Sequence, residues 1–244
     1  MNSRIEKLRQ QSFEASPALS IERALLETEF YQENFGKYSL PVLRARFFKY
    51  LCESKTLYIG DDELIVGERG PAPKVVPTFP ELTCHTVEDL EILNSRSMTS
   101  YRIAEGDITT YAAKVIPYWS GRSMRERIFS KVPDNWQRAY RAGLFTEFME
   151  QRAPGHTALD NRIYRSGMKE YKKRINEHIE RLDYLSDPEA SDKYEQLTAM
   201  EISCDAVIIF AHRHAELAEQ MAGQGDDSAR KEELLHIAEV CRWV

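Results

Sequence analysis

Two phenylalanines, two glutamates, an arginine and a histidine fall within the fourteen residues Leu144–Thr157, which read LFTEFMEQRAPGHT. Glu147 and Glu150 flank Phe148 and lie three apart, so on a helix their carboxylates are neighbours that burial would equip for acid–base work. Arg152 is the counter-ion at hand. The plainer reading of the two glutamates is a solvated or paired position on a helix surface. Leu144, Phe145, Phe148 and Met149 recur at helical spacing and give the stretch one apolar face. Pro154 and Gly155 end that helix, because proline lacks an amide donor and glycine tolerates positive φ. His156 follows at once. A histidine fixed by such a turn beside an aromatic face suits a small polar ligand, and a loop histidine capping a carbonyl is the plainer alternative. No nucleophile stands out.

Elsewhere the chemistry is thin. His212 and His214 are two apart and point to different faces of a helix, so they cannot chelate as an i, i+4 pair would. His236 and Cys241 are poorly spaced, and the adjacent Cys84 and His85 have no third ligand in range, so no metal site is expected. No P-loop, dinucleotide fingerprint or nucleophile elbow occurs, and Gly223–Gly225 reads as a flexible turn. Cys204 lies within an apolar helical stripe and reads as a small core residue.

The elements that must position these residues are mostly helices. Residues 3–15 read as a short amphipathic helix. Ser20 is the expected cap of a helix ending before Gly36, and Pro41 sits where an N1 proline opens the next. The runs 56–60 and 64–67, separated by Asp61 and Asp62, read as a small hairpin or extended loop. Pro71, Pro73, Pro77 and Pro80 make residues 70–83 an extended, polyproline-like segment. Thr86 caps a helix to about Asn94. Further helices are expected over 104–115, 123–131 and 134–143, with Asp134 as a cap, and Trp119 and Trp136 as packing anchors. Asp160 is expected to open a helix through Leu182, followed by a long helix from Pro188 to about Ala222 and a last one from near Asp227. Residues 160–244 therefore read as three antiparallel helices.

The chain has 244 residues, 42% of them apolar and 30% charged, with net charge −6. That balance belongs to a soluble globular protein, and nothing in it favours nucleic acid or an anionic membrane. Four isolated cysteines without a CxxC pair suit a reducing cytoplasm, and the chain has no signal-peptide-like core or run of eighteen apolar residues.

The stretch FTEFMEQRAPGHT resembles the glycyl radical enzyme superfamily, the pyruvate formate-lyase-like enzymes, and within it the trans-4-hydroxy-L-proline dehydratase branch. The likeness extends through SIERALL at 20–26, LPVLRARFFKY at 40–50, DELIVGERG at 62–70, PTFPELTCHTVEDLEIL at 77–93 and AMEISCDAVII at 199–209. ELIVGERG and the PGH turn recur across the superfamily, whereas the 77–93 block and TEFMEQRAPGH look more specific to this branch. The resemblance implies a mainly α chain, the N-terminal helical region of the superfamily's ten-stranded α/β barrel fold. The whole of 1–244 would be part of one such domain, with 1–158 an irregular helical part and 159–244 an antiparallel one. By similarity His156 would contact the substrate's hydroxyl or the departing water, and Phe148 would pack on the substrate ring. Glu147, Glu150 and Arg152 are supporting candidates. The full enzyme would be an anaerobic homodimer carrying a glycyl radical installed by a radical S-adenosylmethionine activating enzyme.

Neither the Gly-Cys-Val-Glu type cysteine loop nor the Arg-Val-x-Gly-Tyr type glycyl loop occurs in these residues. None of Cys52, Cys84, Cys204 and Cys241 is therefore assigned the catalytic role. The expectation is an N-terminal portion, whether a truncated form, a frame-shifted reading or half of a split enzyme, inactive without the remainder. Competing readings are a portion of another glycyl radical lyase (a diol dehydratase, an arylacetate decarboxylase or a formate acetyltransferase) and a non-catalytic helical interaction module.

Overall fold

The computed structural model describes residues 3–145 and 160–243. It is mainly helical, as expected, and its longest element is its spine. Helix α10 (Ala190–Gln224) has helices on three sides: α3 (Leu40–Ser54), α9 (Met168–Glu180) and α11 (Ser228–Arg242). At about 1.5 Å per residue such a helix is some 50 Å long. Its apolar stripe changes character along its length. Near the middle Cys204 packs with Met168 and Ile175 of α9. Farther along, Ala215, Ala218 and Ala222 face Leu234, Ile237 and Ala238 of α11, and these small side chains allow the two helices to approach closely. The pairing of Lys172 with Asp205 (2.5 Å) and of Asn176 with Glu201 (3.2 Å) sets α9 antiparallel to α10. The three-residue turn Gly225–Asp227 folds α11 back, and the Asp227 carboxylate accepts from the amides of Ala229 and Arg230.

Helix α3 instead runs parallel to α10. Ser39 donates to Glu195 at one end, Val42 and Ala45 pack on Ala199, and Arg213 reaches the last carbonyls of α3 at the other. Pro41 stands in the first turn of α3, where its missing amide costs nothing. A second core joins helices α2 (Glu22–Asn34), α4 (Val87–Ser95), α5 (Glu105–Lys114) and α6 (Ile116–Trp119) through Ala24, Leu90, Tyr111, Val115 and Trp119. Trp119 is a buried packing anchor there, and its indole donates to Thr28 Oγ1 at 2.9 Å. Thr86 caps α4 in a reciprocal capping box with Asp89.

Several expectations are decided or corrected. Of hairpin and extended loop, residues 56–67 form the loop. It is irregular and pinned by side chains: Arg230 donates to the carbonyls of Gly60 (2.7 Å) and Glu63 (3.0 Å). Arg4 and Lys7 of α1 (Ser3–Glu14) hold Asp62. The observed strands are instead β1 (Ala18–Ser20) and β2 (Val75–Pro77), paired in parallel with Leu19 opposite Val76. The proline-rich segment is thus extended only around β2, where that pairing fixes it, and it turns at 73–74, with Lys74 at φ +58°, and again at 80–82. Gly70 permits the approach, since a Cβ there would lie 2.0 Å from the carbonyl oxygen of Val75. Ser20 ends β1, so Ile21 takes the cap position of α2. The helix α7 (Met124–Phe129) is capped by Ser123, and in α8 (Asp134–Arg141) Pro133 holds the cap position in place of Asp134. Asp160–Tyr164 is a 3-10 turn, and α9 begins only after Gly167.

Candidate functional site

The stretch Leu144–Thr157 is approached through α7 and α8, two short helices held by an aromatic cluster. Phe129 meets Trp136 and Tyr140 edge-on at 5.2 and 5.0 Å, and the rings of Trp136 and Tyr140 are stacked 5.7 Å apart. Arg125 lies over Phe129 at 4.4 Å and donates to the Tyr140 hydroxyl at 3.3 Å. Gln137 donates to the carbonyls of Phe129 and Val132 and so caps the end of α7. Gly143, at φ +71°, then turns the chain. Phe145 seats on Trp136 at 4.8 Å, which anchors the start of the candidate stretch in the cluster. Trp136 is therefore a packing residue. His156, Phe148, Glu147, Glu150 and Arg152 all lie outside the described residues, so their mutual geometry is not assigned.

Helix α7 is itself docked. The amides of Met124 and Arg125 donate to the carbonyls of Glu81 (2.8 Å) and Leu82 (3.0 Å). Through these bonds the segment 78–82 supports the α7–α8 pair, and the same segment carries half of a charged cluster that sequence reasoning missed. Arg23 of α2 donates to Glu27 at 2.8 Å and to both carboxylate oxygens of Glu81, at 2.6 and 3.0 Å. It also donates to the Thr78 carbonyl and stacks on Phe79 at 4.2 Å. Glu27 is only 1% exposed. Burial, and then the adjacent Glu81, push its carboxyl up to about 9, with Arg23 pulling the other way. Tyr31, one turn on, is pushed up to about 12 by burial and by Glu27. The only sequence signal was Arg23 four residues before Glu27, a spacing common on solvated helices.

The remaining titratable groups serve structure. Burial pushes the thiols of Cys52 and Cys84 up to about 11 and raises those of Cys204 and Cys241. His214 is buried, its Nδ1 bonded to the Phe210 carbonyl, and burial lowers its pKa so that it is held neutral. Among the described residues, no three His, Cys, Asp or Glu side chains gather as a metal site, and no helix is long and apolar enough to cross a membrane. A shallow cleft between the end of α9 and the start of α10 is lined by His178, Arg181 and Lys193, the last already paired with Asp187 at 2.7 Å.

Comparison with known proteins adds what the geometry leaves open. The profile of the family described as pyruvate formate lyase-like matches residues 1–244. The chain is 46% identical to trans-4-hydroxy-L-proline dehydratase from Clostridioides difficile over 98% of its own length and 30% of that enzyme's. It superposes on the crystal structure of that organism's hydroxyproline dehydratase, which holds trans-4-hydroxy-L-proline, with a TM-score of 0.91 over the same 98% and 30%. A more distant likeness, 30% identity over 93% of the chain, is to isethionate sulfite-lyase from Oleidesulfovibrio alaskensis, of which the chain covers 29%. The chain thus spans about 30% of the length of these curated relatives.

Proposed function

The chain belongs to the pyruvate formate lyase-like family of glycyl radical enzymes, and on that premise we propose that it forms the N-terminal part of a dehydratase acting on trans-4-hydroxy-L-proline. The observation that carries this reading is the 46% identity to the dehydratase, against 30% to the sulfite-lyase, over nearly the whole chain. The reaction removes one water from the substrate and gives (S)-1-pyrroline-5-carboxylate, with no net oxidation. His156 holds the substrate's hydroxyl or the departing water, and Phe148 packs on the ring. Glu147, Glu150 and Arg152 set the charge and hydrogen bonding around them.

A glycyl radical, installed by a radical S-adenosylmethionine activating enzyme, supplies hydrogen abstraction in such an enzyme. The loops that would bear the glycine and its partner cysteine do not occur among these 244 residues, so this chain binds and orients while the remaining polypeptide reacts. The working unit is a cytoplasmic homodimer, within which 1–158 forms the irregular helical part and 159–244 the antiparallel one.

The test uses this chain joined to the remaining family length, activated anaerobically and given trans-4-hydroxy-L-proline. Formation of pyrroline carboxylate is expected, with none from the 244-residue chain alone. His156→Ala is expected to lower turnover at least about tenfold without changing thermal unfolding. A radical-bearing protein that converts a diol or isethionate and ignores hydroxyproline would overturn the substrate assignment. Unchanged dehydration by the His156 variant would remove that residue from the site.

A further inference from the structure

The cluster at Arg23 holds two carboxylates and one guanidinium where water is nearly excluded. The Oε2 atoms of Glu27 and Glu81 flank a single nitrogen of Arg23, Nη1, at 2.8 and 3.0 Å. Phe79 and Phe47 lie at 4.2 and 5.4 Å from the same guanidinium. Glu27 is essentially sealed, and Glu81 retains partial exposure. One cation serves both carboxylates, and an uncompensated charge on the sealed Glu27 would be among the costliest arrangements a fold can hold. A proton on Glu27 removes the excess charge and replaces repulsion from Glu81 with attraction.

We propose that the sealed Glu27 carries a proton and, with Arg23 and Glu81, forms a pH-sensitive latch that fastens the 78–82 segment, and through it the start of α7, onto α2. The charges that act on Glu27 are those of Glu81 and Arg23. On α2 the neighbours are Arg23 itself and Tyr31, and α3 contributes apolar Phe47 and the exposed Arg44, which acts on Tyr31. From α5, Tyr111 feels Glu81 and is raised by burial, so it remains neutral. From α6, Trp119 is spent on Thr28. The segment itself offers Glu81 and the Thr78 carbonyl, already taken by Arg23.

The direction of the pH effect follows. Glu27 keeps its proton in the folded chain well above the pH at which it loses it when unfolded, so the latch is complete in acid. It weakens as pH rises toward about 9. The bonds that report it are those of the Met124 and Arg125 amides to Glu81 and Leu82.

Hydrogen exchange of the peptide spanning these amides, corrected for intrinsic rate, is the direct measurement. Between about pH 7 and about pH 10 the wild-type chain should lose at least about tenfold in protection there. Glu27→Gln, whose amide donates as the protonated acid does, should keep its protection at both. Equal losses in the two proteins would overturn the latch. Should the variant fail to fold, the infrared spectrum of the wild-type chain at neutral pH decides independently. A protonated-carboxyl band that titrates in the alkaline range supports the proton on Glu27, and absence of any such band refutes it.

Discussion

Burial decides which side chains here can react. Cys52 and Cys84, both pushed up to about 11, are thiols rather than thiolates at neutral pH. At about pH 8 iodoacetamide should therefore modify them at least about tenfold more slowly than free cysteine, as followed by mass spectrometry. Rapid adduct formation at either position would show that it is exposed or activated. The sequence marked Cys204 and Trp119 correctly as packing residues, the first because it falls within an apolar helical stripe and the second because large aromatics mostly serve cores. It did not mark Glu27, since the same helical pattern fits a glutamate facing solvent and one facing Arg23. Only the meeting of α2 with the 78–82 segment distinguishes them. For His156, Phe148, Glu147, Glu150 and Arg152 the motif is the whole argument, as these residues lie outside those described.

Among the elements, the ends of α3 show what local chemistry can and cannot announce. Pro41 and Gly36, at φ +83°, mark the turn into it, and both are legible without a structure. Its other end depends on Arg213, which donates to the carbonyls of Cys52 (2.6 Å) and Lys55 (3.0 Å) from 161 and 158 residues away. A cation there also suits the negative end of the helix dipole. Arg213→Ala should cost roughly 1–3 kcal/mol, measured by urea unfolding, with the helix content of the folded state retained. A change within experimental error would mean that water replaces the guanidinium. Long-range partners also explain why 56–67 is a loop and not a hairpin: the carbonyl of Asp62 accepts from Arg4 of α1, and those of Gly60 and Glu63 accept from Arg230 of α11. The parallel pairing of β1 with β2 joins strands too short to carry a pattern of their own.

At the scale of the molecule, some large apolar side chains stand in solvent. Ile65 is 89% exposed, Leu185 99% and Trp243 82%. Such a surface fits a polypeptide whose relatives are about three times longer better than it fits an evolved, self-sufficient module. The chain alone is expected to bind an apolar-surface dye and to elute as a mixture of associated species in size-exclusion chromatography. A monodisperse monomer that leaves the dye dark would favour the interaction module.

The side-by-side packing of α3 and α10 also sets a timetable for synthesis. Val42 and Ala45 find their partner Ala199 only after some 150 further residues have been made. At roughly 5–20 residues per second this takes on the order of ten to thirty seconds. For that interval the face of α3 turned to α10 has no mate, while Phe47 can already pack on Phe30 and Tyr31 of α2. The nascent α3 is therefore a natural client for whatever shields apolar helices at the tunnel exit.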